Sequence, residues 1–444
     1  MNKLVLIHLS DIHFTRSSGV SVHDLDADLR NELLRDVTKL SSGLGGATGV
    51  LVTGDIAYSG QRSEYEIASA WLADLCRAVG CPEENVWVVP GNHDVDRKVA
   101  GNKVTKSLQE GIRNKNEARI DAELREVLSD PQSAGALLAP LAEYNGFAAR
   151  FQCSISPEKP FWERDLVLDC GTRVRMRGLT STFVSNANDE KGNVVLGTAQ
   201  AGAPRTDGVL YLTLCHHPPD WLRDQDAVVT QLESRVRIQL FGHKHAQRVQ
   251  VINGKLRLTA GAMHPEREER DWVPMYNILE IARRGDESIG LRLFQRRWHP
   301  TATCFVPDPD PATGKEDWEF IWSEYPRPVG NPKKPADAMR MTKADLAVSA
   351  VITATTAEVA GAMPTPNYQR RLTYRFLTLA FRHQMAIAQS LNLLTDEDRA
   401  LSNDVLFREV FRRAADRGLL GKLWQETERR HSDPADFNPF EDSK

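Results

Sequence analysis

Three short apolar runs, at residues 4–9, 50–53 and 86–89, alternate with two stretches of helical periodicity, and this alternation restricts the possible folds more than any other feature. Residues 23–40 set Leu25, Leu29, Leu33, Val37 and Leu40 at helical spacing, and residues 62–79 do the same with Tyr65, Ile67, Ala68, Trp71, Leu72 and Leu75. Apolar runs this short suit buried strands. Strands alternating with amphipathic helices predict an α/β layered domain. Further strands are expected at 166–169, 173–179, 209–215, 236–241 and 256–259, and a last pair within 291–324 around a Pro-Asp-Pro-Asp-Pro turn. The stretch 96–150 breaks the rhythm. It is charged and helical in pattern, and reads as an insertion between core strands.

With 444 residues, two domains are the natural expectation. Residues 325–341 are rich in proline and charge, which is linker composition. Past them the pattern is helical throughout. It runs over 342–360 and 368–392, through a helix capped by Ser402 that aligns Leu406, Phe407, Val410, Phe411 and Ala414, to a last helix opening at Leu419. The division expected is 1–324, a linker, a helical domain over 342–432 and a loose tail over 433–444. A net charge of −4 argues against a molecule that is basic overall and wraps nucleic acid, though local basic patches stay possible. The six cysteines form no CxxC pair, which fits a reducing cytoplasm. No apolar run approaches the length needed to cross a bilayer, so no membrane partner is expected.

Five short blocks carry the chemistry: Asp11-Ile12-His13, Gly54-Asp55, Gly91-Asn92-His93-Asp94, His216-His217 and Gly242-His243-Lys244-His245. Each follows a predicted strand. The C-terminal ends of strands in an α/β sheet form a common rim where ligands gather, so blocks far apart in sequence can converge. Carboxylates, imidazoles and an amide oxygen suit divalent ions such as manganese, iron, zinc or nickel. Taken one at a time, each block has a plain structural reading as a cap, an Asx-turn or a rim histidine. Their joint occurrence in this order is what points to a metal site.

The ordered set DIH, GD, GNHD, HH and GHKH resembles the calcineurin-like metallophosphoesterase superfamily. With LIHLSDIHF, GDIAYSG and GNHDVDR it is most similar to the bacterial cyclic-nucleotide phosphodiesterase branch. The resemblance implies a four-layer α-β-β-α sandwich and two divalent metal ions, manganese being favoured. It implies that Asp11, His13, Asp55 and His245 hold one ion and that Asp55, Asn92, His216 and His243 hold the other, with Asp55 bridging. It further implies attack on phosphorus by a hydroxide that the ions activate. His93 would serve the leaving oxygen, with Asp94 orienting its ring, and His217 would stand beside the site.

The substrate is less constrained. A phosphodiester of nucleotide type is the first expectation. A nuclease is the alternative, because Arg97, Lys98, Lys103, Lys106, Arg113 and Lys115 follow the GNHD block and could track a phosphate backbone. A solvated helix face explains the same strip. Residues 374–427 resemble bacterial effector-associated, death-like helical domains, through IAQSLNLL and LFREVFRRA. That resemblance implies a protein partner for the tail, and with it a third reading of the chain as mainly an interaction protein.

Overall fold

A computed structural model describes residues 2–18, 24, 26–169, 171–264, 273–285, 288–323, 325, 368–395, 397–398, 401, 403–431 and 438–440. The expected linker beyond Tyr325, the helix at 342–360, the Ser402 cap, the start of the first helix at His23 and most of the tail lie outside the described residues. Two compact units emerge: Met1–Ala148 with Cys153–Val329, and Gly330–Lys444 with Ala149–Gln152.

The first unit is built on two mixed sheets. One contains β1 (Lys3–Leu9), β2 (Gly49–Val52) and β3 (Val86–Val88), all parallel. The other contains β4 (Trp162–Val167), β5 (Arg173–Gly178), β6 (Val209–Cys215), β7 (Val236–Phe241), β8 (Arg248–Ile252) and β9 (Lys255–Thr259), in the order β4-β5-β6-β7-β9-β8. β10 (Met275–Arg283) returns the chain to the first sheet, antiparallel beside β1, and β11 (Ile289–His299) follows it. β12 (Cys304–Pro307) and β13 (Asp317–Trp322) then share the outer edge of β11.

β1 is buried from Leu4 on, and β6 along its whole length. Strands covered on both faces read as continuous apolar runs rather than alternating ones. Helices Ala27–Gly43 and Arg62–Val79 pack together beside the first sheet, and Gln225–Arg235 packs against β7. The architecture is the expected α/β sandwich. The insertion is helical, as expected, and includes Lys103–Arg113, Glu117–Ser129 and Pro131–Leu138.

Several expectations need correcting. β4 starts at Trp162, earlier than 166–169, because Trp162 is a core residue whose indole N–H donates to the Val88 carbonyl at 2.8 Å. β8 and β10 were not foreseen. β8 is an edge strand with little burial. β10 carries Glu280 inside an apolar run, and Lys3 at 3.0 Å and Arg292 at 3.6 Å balance that carboxylate. The last stretch holds three strands, not a pair, and the proline-rich turn joins two neighbours of β11 that do not pair with each other.

The second unit holds helices Tyr368–Thr378, Phe381–Ser390, Asn403–Asp416 and Leu420–Glu428. Leu372, Phe376, Ile387, Leu406, Val410, Leu423 and Trp424 form its buried core. The helical pattern over 368–392 is interrupted at Leu379-Ala380. There the Gln384 amide donates to the Phe376 and Leu377 carbonyls at 3.1 and 3.2 Å, satisfying the orphan acceptors of the first helix end. Among the described residues no helix is long and apolar enough to cross a membrane.

Candidate metal centre

The five blocks leave the ends of β1, β2, β3, β6 and β7, so both sheets deliver them to one rim. Close approach fixes the glycines. A Cβ on Gly54 (φ +93°) would stand 2.5 Å from His216 Nδ1, and one on Gly242 would stand 2.2 Å from Ser10 Oγ. Asp11, His13, Asp55, His243 and His245 all have φ between 52° and 70°. Non-glycine residues seldom adopt this left-handed conformation, which costs about 1–2 kcal/mol each. Five of the seven proposed ligands sharing it marks a site where the surrounding fold imposes the backbone.

The side chains converge. Asp55 Oδ2 lies 3.4 Å from His216 Nε2 and 3.8 Å from His13 Nε2. Asp11 Oδ1 lies 3.5 Å from His245 Nε2. Asn92 Oδ1 lies 3.0 Å from both His216 Nε2 and His243 Nδ1, and those two nitrogens are 3.2 Å apart. Potential ligand atoms fall into overlapping groups: Asp11, His13 and His245; His216, His217 and His243; and Asp55 with members of each side.

This arrangement fits divalent cations on chemical grounds. His216 Nδ1 donates to the Thr53 carbonyl at 2.8 Å, so in the neutral ring Nε2 presents a lone pair. That lone pair faces the Asn92 oxygen and a nitrogen of His243. Acceptors gathered this closely repel one another unless positive charge lies among them. Neither ring nitrogen of the buried His13 has a hydrogen-bond partner among the described residues. Burial pushes His13 and His243 down to about 3, and His217 well below its ordinary value, so these rings stay neutral, the form that binds metals. Burial opposes ionisation of Asp55 and Asp11, yet the neighbouring histidines hold both below the usual carboxylate range. His216 moves the other way, up to about 9. Burial lowers it, but the Asp55 charge and hydrogen bond, the Asp11 charge and the Thr53 carbonyl together outweigh burial.

Asp94 requires a correction. Its carboxylate accepts from the backbone N–H groups of Gly91 (2.8 Å), Ile56 (3.2 Å) and Ala57 (2.9 Å) and from the Tyr65 hydroxyl (2.9 Å). It therefore ties the Asp55 loop to the Asn92 loop. The His93 ring is oriented instead by the Tyr58 carbonyl, which accepts from Nδ1 at 2.8 Å. In the basic strip, three of the six cations have acidic neighbours. Arg113 is largely buried against Asp189 at 2.8 Å, Lys115 pairs with Glu123 at 2.8 Å, and Lys106 sits 3.7 Å from Glu110.

Some supporting residues escaped the sequence reading. Ser10 donates to the Asp11 carboxylate. Ser181 lies 2.8 Å from His217 Nδ1. The available signal for Ser181 was that β5 ends on the same rim as the five blocks. Thr53 acts through its backbone carbonyl, for which side-chain identity gives no signal.

Residues 4–247 match the family model of calcineurin-like phosphoesterases. The chain belongs to that family, which points to a hydrolase and generally uses divalent metals. Residues 368–429 match the model of a GTPase-associated adaptor domain, so the helical unit is similar to an adaptor module. Among solved structures, a predicted phosphoesterase from Streptococcus pneumoniae TIGR4 is 14% identical over 72% of this chain and 99% of that one, with a TM-score of 0.27. Vacuolar protein sorting 29 from Cryptosporidium parvum is 13% identical over 73% and 100%, with a TM-score of 0.30. A purple acid phosphatase from yellow lupin (Lupinus luteus) seeds is 11% identical over 75% and 57%, with a TM-score of 0.37. A comparison with curated proteins gave no match.

Proposed function

We propose that the chain hydrolyses phosphodiester bonds in nucleotide-type substrates at a centre of two divalent cations, and that its helical unit engages a protein partner. The observation that carries the catalytic reading is the meeting of Asn92 Oδ1, His216 Nε2 and His243 Nδ1 within 3.2 Å, beside Asp55. Asp11, His13, Asp55 and His245 are the residues to hold one cation, and Asp55, Asn92, His216 and His243 the other. Bound there, such a pair supplies Lewis-acid polarisation of the phosphate and a water nucleophilic near neutral pH.

The chain's own groups do the rest. Thr53 fixes the tautomer of His216 through its carbonyl, and the Gly91 and Ala57 N–H groups hold Asp94 so that both loops keep their spacing. Hydrolysis breaks the bond from phosphorus to the ester oxygen, and the departing alkoxide needs a proton. His93 keeps Nδ1–H on the Tyr58 carbonyl, so a proton for the alkoxide would come from Nε2 of the doubly protonated ring, the nitrogen that Arg97 Nη2 approaches to 3.5 Å. The similarity of residues 368–429 to an adaptor domain supports the partner role of the tail.

The test uses purified protein, a chelator and added manganese. Bound metal is measured alongside turnover of 3′,5′-cyclic AMP, a dinucleoside monophosphate, and single-stranded and duplex DNA. Metal-dependent cleavage of the small diesters is expected. A protein that binds two equivalents of manganese and cleaves none of these would remove the reading.

A further inference from the structure

The buried cluster explains the centre but not its rim. Among the described residues of the first unit, the exposed large apolar side chains are Tyr58, Val104, Val167, Val251 and Ile321, and Tyr58 alone is aromatic, at 42% exposure. Its loop is not loose. The Tyr58 N–H donates to the Phe14 carbonyl at 3.0 Å, the Ala57 N–H to Asp94 at 2.9 Å, and the Ser59 N–H to Glu64 at 3.0 Å. One exposed ring alone would signify nothing, but a fixed loop holds this one against the histidines of the site, where a ligand would meet it.

The ring stands over one side of the site. Its centroid lies 5.4 Å from that of His93, with the planes 40° apart, and 6.1 Å from that of His13. Arg97 occupies the same side, with Nη2 3.5 Å from His93 Nε2. It is exposed, and among the described residues no carboxylate pairs with it. The neighbouring Asp96 side chain is already taken by the N–H groups of Lys98 and Val99 and by Gln61. A guanidinium in this position can donate to an anionic oxygen and can also lie flat against a ring. The opposite side of the centre differs, because Trp221 closes there against His243, with 3.9 Å between ring centroids.

Resting on the phosphodiesterase reading above, we propose that Tyr58 and Arg97 form, around His93, the subsite for the departing alcohol, and that this alcohol carries a planar ring, as a nucleoside or aryl group does. Tyr58 offers the ring a stacking face. Arg97 lies close enough to His93 Nε2 to reach the same ester oxygen. The bond from that oxygen to phosphorus breaks, water supplies the oxygen that replaces it, and the released alkoxide is protonated to the alcohol.

The test gives the full chain, loaded with manganese, two diesters: a dinucleoside monophosphate, and glycerophosphocholine, in which neither ester alcohol has a ring. A base stacked on an aromatic side chain predicts that Tyr58→Ala raises KM for the dinucleoside ester about tenfold more than for glycerophosphocholine. Tyr58→Phe should recover most of that loss. Free nucleoside should inhibit competitively, and less well against Tyr58→Ala. Arg97→Gln should lower kcat on both esters by similar factors, because its charge addresses the oxygen and not the ring. Equal KM effects of Tyr58→Ala on the two esters, or a wild-type preference for glycerophosphocholine, would overturn the proposal. Turnover of neither ester is a separate outcome, which sinks the phosphodiesterase reading and this proposal with it.

Discussion

The two units of the chain obey local rules to different degrees. In the first, five acidic or imidazole residues adopt left-handed backbone, carboxylates lie fully buried, and acceptor atoms face one another. In the second, the described non-glycine residues with positive φ are Gln152 and Asn392, each just after a helical segment, and at Asn392 asparagine is a common stop. Its core is apolar and its helices amphipathic. Local violations that persist need a compensating cause, and functional sites are where such causes concentrate. A unit without them shows how it folds but not which surface it uses.

The contrast breaks most easily at Asp55. This carboxylate touches both halves of the cluster and accepts from the His93 N–H at 2.8 Å. Asp55→Ala is expected to cut diester hydrolysis by about 10³-fold or more and to reduce bound manganese. It should leave the helical unit's unfolding transition in place, as followed by calorimetry. Unimpaired turnover would mean that the strained rim is not the working centre.

The mirror experiment is in the helical core. Phe376 is fully buried, with ring centroids 5.4 Å from Phe407 and 5.2 Å from Phe411. Phe376→Ala should destabilise that unit by about 3–5 kcal/mol. Manganese content and small-diester turnover should stay within about twofold of wild type, about 0.4 kcal/mol. A joint loss of both would show that the two units are energetically one.

How much was legible follows the same division. β6 was read within a residue because a strand buried on both faces writes itself as a nearly unbroken apolar run, and β7 was read as closely although Arg237 and Gln239 alternate with its apolar residues. β10 escaped because Glu280 interrupts its run, and the cations that balance it come from Lys3, 277 positions away, and from β11. At the site, side chains of a telling type were visible at once: Asp11, His13, Asp55, Asn92, His216, His243 and His245 all reach one rim. What stayed hidden acts through backbone or through contact geometry: the Thr53 and Tyr58 carbonyls, and the reassignment of Asp94 from ring orientation to loop tying. Sequence reports which atoms are present, and only the fold reports which of them are already committed to a neighbour.

His93 sharpens the comparison further. It belongs to the strained rim but not to the seven proposed ligands. His93→Ala should retain manganese yet lose about 10²-fold in turnover, and more for esters with poorly leaving alcohols than for nitrophenyl esters. Equal losses across leaving groups would deny it the role of proton donor.

The smallest effect tests whether the helical unit has any charge-dependent stability of its own. Arg413 grips Asp398 with both terminal nitrogens, at 2.6 and 2.9 Å, and also donates to the Leu393 carbonyl at 2.8 Å. The Arg413 hydrogen bonds hold the Asp398 carboxyl down to about 2. A carboxyl lowered on folding adds stability that is complete above its unfolded value, near 4, and that drains away as pH falls through its folded value. Solvent screening limits the gain to about 1 kcal/mol. Asp398→Asn should therefore lower the unit's melting temperature at pH 7, and the gap from wild type should close between about pH 4 and pH 2. A gap that persists at pH 2 would assign the effect to lost hydrogen-bond geometry, and the ordinary unit would then owe its stability to packing alone.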